Sequence, residues 1–123
     1  MAIDPTRESF QRFMTADMAG PIVMLNLLRF ADRAGYEAYL RATAPFLAKV
    51  GGEVVYAGLA GDPLVAEAGQ AWDAVLLVRY PNREAFAAMV ADPGYREVTT
   101  LRAQALTETV LQPTVPWPGI AAR

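Results

Sequence analysis

The sequence predicts an α+β fold in which a four-stranded antiparallel sheet carries helices across one face. Three observations support this. Short, β-branched apolar runs alternate with longer stretches of helical period. Proline or glycine punctuates most of the junctions between the two kinds. A strand–helix–strand order then occurs twice after an opening helix.

The opening segment reads as a short helix over about residues 5–16. Asp4 is a good N-cap and Pro5 suits the first helical position, and Phe10, Phe13 and Met14 recur as one apolar stripe. Gly20-Pro21 stops it. Ile22 to Phe30 is too short and too branched for a core helix. It reads as a strand apolar on both faces, broken by Asn26 and ended by Arg29. From Arg33 to Val50 the period is helical, with Tyr36, Tyr39, Leu40, Thr43, Leu47 and Val50 on one face. Pro45, inside that run, should bend the helix or begin a new turn capped near Thr43 or Ala44. Gly51-Gly52 ends it by supplying a left-handed residue.

Glu53 to Leu59 reads as the second strand and Gly61-Asp62-Pro63 as a turn. The stretch to about Ala71 is loop-like, with Leu64-Val-Ala as a brief extension of the sheet. Trp72 to Tyr80 is the clearest strand in the chain. Pro81-Asn82 closes it and caps a helix from Arg83 to Ala91, with Phe86, Met89 and Val90 inward. Asp92-Pro93 restarts a helix through roughly Ala103, whose inner positions are Tyr95, Val98 and Leu101. Leu106 to Gln112 is the last strand. The tail from Pro113 to Arg123 reads as extended and packed locally by Trp117. Two strand–helix–strand units with both helices over one face describe a ferredoxin-like sandwich of strand order 4-1-3-2. The whole of residues 1–123 then forms one domain, with its core at about 21–113 and an extra helix in front.

Two crossover helices cover one face of such a sheet, yet its central strands are apolar on both. Ile22, Met24 and Leu28 oppose Val23, Leu25 and Leu27, and Leu76 and Val78 oppose Val75 and Leu77. Leaving the second set in water forgoes roughly 1.5–3 kcal/mol of burial per side chain, and patches of that kind usually meet a partner. A homodimer built through the sheet faces is therefore expected. The opening helix, folded over part of the second face, is the alternative cover.

Composition removes much chemistry. The 123 residues include neither cysteine nor histidine, which excludes disulfides, thiolate metal sites, cysteine nucleophiles and histidine-dependent triads. Lys49 is the single lysine, a narrow basis for Schiff-base chemistry. Eleven basic residues against thirteen acidic give a net charge of −2, and the arginines are scattered, without the basic stripe of a nucleic-acid binder. No run of about eighteen apolar residues could span a bilayer. Met-Ala-Ile-Asp-Pro lacks the charged and apolar regions of an export signal, so a cytoplasmic protein is expected. No metal ligands or phosphate loop stand out. Gly58 to Gly61 lacks the following Lys-Ser/Thr, and no cofactor is implied.

Four residues are the candidates for contacting a ligand. Asn26 disfavours a strand and sits among apolar neighbours. Buried, its amide must find partners or cost on the order of 1–3 kcal/mol; it either bonds an adjacent strand or aims into a pocket. Arg79, on the same face as Asp73, Val75 and Leu77, suits a carboxylate or enolate clamp as well as an ion pair with Asp73 or Glu53. Trp72 and Tyr56, with Tyr36, Tyr39 and Tyr80, could wall an aromatic cavity or simply fill the core. Glu108, on the last strand, is the best-placed carboxylate for proton abstraction, although a strand glutamate commonly faces water.

Pro21-Ile-Val-Met-Leu-Asn-Leu-Leu-Arg-Phe30, the helix closing on Gly51-Gly52, and Trp72-Asp-Ala-Val-Leu-Leu-Val-Arg-Tyr-Pro-Asn-Arg-Glu-Ala-Phe86 resemble the domain-of-unknown-function 1330 family. Asp92-Pro-Gly-Tyr95 and Arg102 fit the same pattern, and the resemblance covers about residues 20 to 113 through order and spacing. It implies a dimeric α+β barrel, in which two ferredoxin-like sheets face each other and enclose a pocket beneath each. Relatives by fold include cofactor-free monooxygenases, lactone isomerases, haem-dependent enzymes and stress-responsive proteins. The lack of histidine argues against histidine-ligated haem. The family supplies no catalytic residues to carry over, and the opening helix and proline-rich tail lie outside its pattern as candidate dimer arms.

The functional expectation is thus a homodimer that binds a small organic molecule. One competing reading is a cofactor-independent isomerase or monooxygenase-like enzyme acting on a small organic acid or phenol, with Glu108 or a tyrosine as base. The other is a structural dimer without a ligand.

Overall fold

The computed structural model describes residues 3–16 and 19–120. Its elements follow in the order α1 (Arg7–Thr15), β1 (Ile22–Phe30), α2 (Arg33–Lys49), β2 (Glu53–Leu59), β3 (Ala74–Tyr80), α3 (Arg83–Ala91), α4 (Pro93–Ala105) and β4 (Leu106–Thr114). The strands form one antiparallel sheet in the order β2-β3-β1-β4, the expected ferredoxin-like order read from its other edge.

Strand periodicity decides what each face becomes. Ile22, Met24, Asn26 and Leu28 of β1 and Ala74, Leu76, Val78 and Tyr80 of β3 are buried. They form the core with Tyr36 and Tyr39 of α2, Phe86 and Met89 of α3, and Tyr95 of α4. Val23, Leu25, Leu27, Val75 and Leu77 alternate with them and stay partly exposed. The register sets Leu25 opposite Leu77 and Asn26 opposite Leu76. The second face is therefore as apolar as the sequence suggests, and it is open.

Helix α1 does not cover that face. Its Phe10 and Phe13 rings lie 6.3 and 5.3 Å from Phe86, on the helical side of the sheet. Its start also differs from the expectation. Thr6 is the N-cap, accepting from the Ser9 N–H at 3.0 Å while the Ser9 hydroxyl oxygen accepts from the Thr6 N–H at 3.0 Å. That reciprocal box outcompetes Asp4, whose carboxylate turns towards Arg102.

Helix α2 runs unbroken through Pro45. It closes at Gly51, whose φ of +79° is the left-handed turn the double glycine anticipates, with Gly51 N–H donating to Ala48 O and Gly52 N–H to Leu47 O. Asn82 and Asp92 cap α3 and α4 as the sequence indicates. Residues 60–73 carry no strand, and Leu64 and Val65 are fully exposed and not part of the sheet. Trp72 lies before β3. Trp117 is exposed and does not pack the tail; Val115 reaches the core instead. One carbonyl, Ala105 O, accepts from both Ala31 and Asp32 N–H at 2.8 and 3.1 Å, clasping the β1–α2 and α4–β4 junctions together.

Candidate functional site

Between the buried face of the sheet and the helices lies a cavity of about 190 Å³. Met24, Asn26, Leu76 and Val78 form its floor. Tyr36, Tyr39 and Thr43 descend from α2, and Tyr95 and Arg102 from α4. Phe86 and Met89 close one end, and Asp4 and Pro5 stand at the wall contributed by the N-terminal segment. These side chains converge because α2 and α4 lie side by side over the central strands, and each turns its inward stripe onto them.

The polar groups here are few and placed. Asn26 Nδ2 donates to Leu76 O at 3.3 Å and to Met24 O at 3.4 Å, long bonds that hold the amide flat against the sheet. The hydroxyls of Tyr39 and Tyr95 share a hydrogen bond of 2.8 Å. Burial pushes the Tyr36 phenol up to about 12, against the opposing pull of the Arg102 guanidinium nearby. Burial also raises Tyr39, helped by Tyr95, and raises Tyr80. At neutral pH these three phenols stay protonated, so they serve the cavity as hydrogen-bonding groups and not as bases. Arg102 is buried, with Nη1 donating to Ile3 O at 2.7 Å and lying 3.4 Å from Asp4 Oδ1. Among the described residues lining the cavity, Arg102 and Asp4 are the ionised pair.

The sequence-predicted residues divide between the two faces of the sheet. Asn26 lies in the cavity floor. Arg79 is on the open face, its Nη1 3.9 Å from Glu53 Oε1 on the neighbouring strand. Tyr56, opposite Leu77 on β2 and 57% exposed, lies across Gly58, away from Arg79. Trp72 and Glu108 meet at Arg29. The guanidinium sits 4.6 Å from the Trp72 ring centroid and Arg29 Nε donates to Glu108 Oε1 at 2.9 Å. Arg29 also donates to the carbonyls of Ala71 and Gly69. That cluster ties the β2–β3 loop to β1 and β4. Asn26 and Arg79 therefore do not share a pocket, because neighbouring strands place them on opposite sides. Tyr36, Tyr39 and Tyr80 line the cavity; Tyr56 and Trp72 do not.

Arg102 and Tyr95 are among the cavity residues that sequence reasoning did not select as ligand contacts. The signal was present: Arg102 falls seven residues after Tyr95, two helical turns on, and so returns a charge to the apolar face of α4. Among the described residues no group of three or more metal-ligating side chains gathers, and no helix is long and apolar enough to cross a membrane.

Comparison with known proteins places this geometry. No protein of curated function matches the sequence. A protein of unknown function from Rhodopseudomonas palustris is 36% identical, with a TM-score of 0.87 over 94% of this chain and 96% of that one. A dimeric ferredoxin-like protein of unknown function from Thermobifida fusca superimposes at a TM-score of 0.54 with 18% identity, over 80% of this chain and 93% of that one. SnoaB, a cofactor-independent oxygenase from Streptomyces nogalater, gives 0.55 with 21% identity, over 82% and 99%. These last two share the ferredoxin-like fold. The sequence also matches the family described as Domain of unknown function (DUF1330) over residues 22–112. That match runs from the first residue of β1 to within two residues of the end of β4, taking in the three helices α2, α3 and α4 that line the cavity, and the chain belongs to the DUF1330 family.

Proposed function

We propose that the protein is a cytoplasmic homodimer that binds a small organic molecule in the cavity between its sheet and its helices, without a cofactor. The observation that carries this reading is the cavity itself, about 190 Å³ with apolar and phenolic walls and the buried polar side chains of Asn26 and Arg102 built into it. A core of this size would normally be filled, so space kept open beside buried polar groups is a mark of a binding site. Dimerisation through the open face is supported by Val23, Leu25, Leu27, Val75 and Leu77, which no described element covers, and by the dimeric description of the Thermobifida fusca neighbour.

A second reading, a cofactor-independent enzyme, is favoured by the oxygenase among the fold neighbours. It requires a base within reach of the cavity. Glu108 faces the other side of the sheet, bound to Arg29, Tyr36, Tyr39 and Tyr80 hold their protons, and the Asp4 carboxylate at the wall is 68% exposed and paired with Arg102. Ligand binding is therefore the better reading.

A thermal-shift screen of small carboxylates, phenols and lactones tests it, with wild type, Asn26→Ala and Arg79→Ala compared. A molecule at a hundred times its dissociation constant adds about 2.7 kcal/mol, several degrees for a domain of this size. The expected result is a shift weakened in Asn26→Ala and retained in Arg79→Ala. If no compound stabilises the wild type, the structural dimer becomes the better account. A shift lost in Arg79→Ala would move the site to the open face.

A further inference from the structure

Arg102 has bonding capacity that its own protein leaves unused. The side chain is 7% exposed. Nη1 is engaged by Ile3 O and, at 3.4 Å, by Asp4 Oδ1. Nη2 is shut off from solvent and has no acceptor. A guanidinium presents its donors in a planar fork that matches the two oxygens of a carboxylate, and a buried cation left without a full set of partners is costly. Asp4 is a weak counter-ion for it: one long contact, from a side chain that is 68% exposed.

The surroundings restrict what would complete the fork. Arg102 lines the cavity beside the phenols of Tyr36 and Tyr39, both of which feel its charge. Away from Arg102 the walls are largely apolar, with Leu76, Val78 and Phe86 among them. The volume of about 190 Å³ exceeds the roughly 150 Å³ that admits a benzene ring. An anion with a compact apolar body satisfies both ends of the space.

We propose that the cavity takes a small monocarboxylate with a single-ring or similarly compact apolar body, its carboxylate forked across Nη1 and Nη2 of Arg102 in place of Asp4. This assignment rests on the cavity being a ligand site. Asp4 is then a built-in competitor, occupying half of the fork until an incoming carboxylate takes all of it. Only the Asp4 side chain swings aside in this exchange; Ile3 O keeps its bond to Nη1. Asp4 gives up little, because its side chain is already mostly in water.

Calorimetric titration of the full chain with benzoate and with benzamide, a neutral molecule of nearly the same shape, tests this. Wild type should bind benzoate at least about tenfold more tightly than benzamide. Asp4→Asn, a change at an exposed side chain, should tighten benzoate several-fold and leave benzamide unchanged, because the internal competitor has gone. Arg102→Gln should erase the preference for benzoate. If it does not fold, the Asp4→Asn comparison still decides. Benzamide binding as tightly as benzoate, or benzoate indifferent to Asp4→Asn, overturns the anion assignment while leaving the cavity a ligand site. Binding of neither molecule to wild type or to Asp4→Asn overturns the assignment together with the ligand reading beneath it.

Discussion

Tyr39 and Tyr95 meet hydroxyl to hydroxyl at 2.8 Å, bridging α2 and α4 above the cavity. Both rings are buried and their planes cross at 66°. The bond joins the two crossover helices at the depth where a ligand would lie. It is a structural contact and a polar feature of the cavity roof at once.

Removing one hydroxyl leaves the other without its partner in a poorly solvated place. Tyr95→Phe or Tyr39→Phe should each cost about 1–3 kcal/mol, read from urea denaturation. The double phenylalanine variant should cost less than the sum of the two, because neither ring then carries an unpaired group. Additive losses would show that the pair contributes nothing as a pair.

Tyr36 makes the stability of the fold sensitive to alkali. Its folded pKa, raised by burial, is about 12 against 10.0 for the free phenol. The protonated form is favoured by folding, so its contribution is complete below pH 10 and is lost as pH rises from there through 12. Denaturation midpoints measured across that window should fall more steeply for wild type than for Tyr36→Phe. Parallel profiles would remove Tyr36 as the source.

Leu25 and Leu77 stand opposite each other at the centre of the open sheet face. A charge placed there should separate the proposed dimer while leaving the buried face intact. Leu25→Asp is expected to sediment as a monomer with an unchanged circular dichroism spectrum, whereas wild type sediments as a dimer. Each large side chain removed from a buried interface forgoes roughly 1.5–3 kcal/mol, enough to shift a modest association constant by an order of magnitude or more. A monomeric wild type would end the dimer proposal.

Gly51 closes α2 with φ at +79°. A methyl group there would touch Pro81 Cγ at 3.5 Å, an ordinary contact, so the penalty for Gly51→Ala comes from the backbone alone. It should cost about 1–2 kcal/mol, measured by chemical denaturation with an unchanged m-value.

The strands and the glycine stop of α2 were legible because each depends on local pattern. The short, branched apolar runs of Ile22 to Phe30 and of Ala74 to Tyr80 are visible along the chain, as is the Asp92-Pro93 restart. The N-cap of α1 differs from the expectation because Asp4 and Thr6 are both good caps, and the reciprocal box with Ser9, which stands where Glu or Gln is usual, decides for Thr6. The site was legible only in part. Asn26 stood out as a polar residue in an apolar strand. Arg102 was hidden because the path of α4 over the sheet, and with it the environment of its inward face, is a tertiary fact. Arg79 looked equally suitable, and one strand register sent it to the opposite face.

Strand order has a consequence for how the chain assembles. The central strand β1 pairs with β3 and β4, and β2 pairs with β3 alone. A nascent chain that has emerged as far as residue 73 therefore holds two finished strand sequences that have no pairing with each other. No rung of the sheet forms until Ala74 to Tyr80 arrives and joins both. Fragments ending before that point should remain unfolded, and the delay before β1 finds its neighbours is the interval in which an apolar nine-residue segment stands open to mispairing.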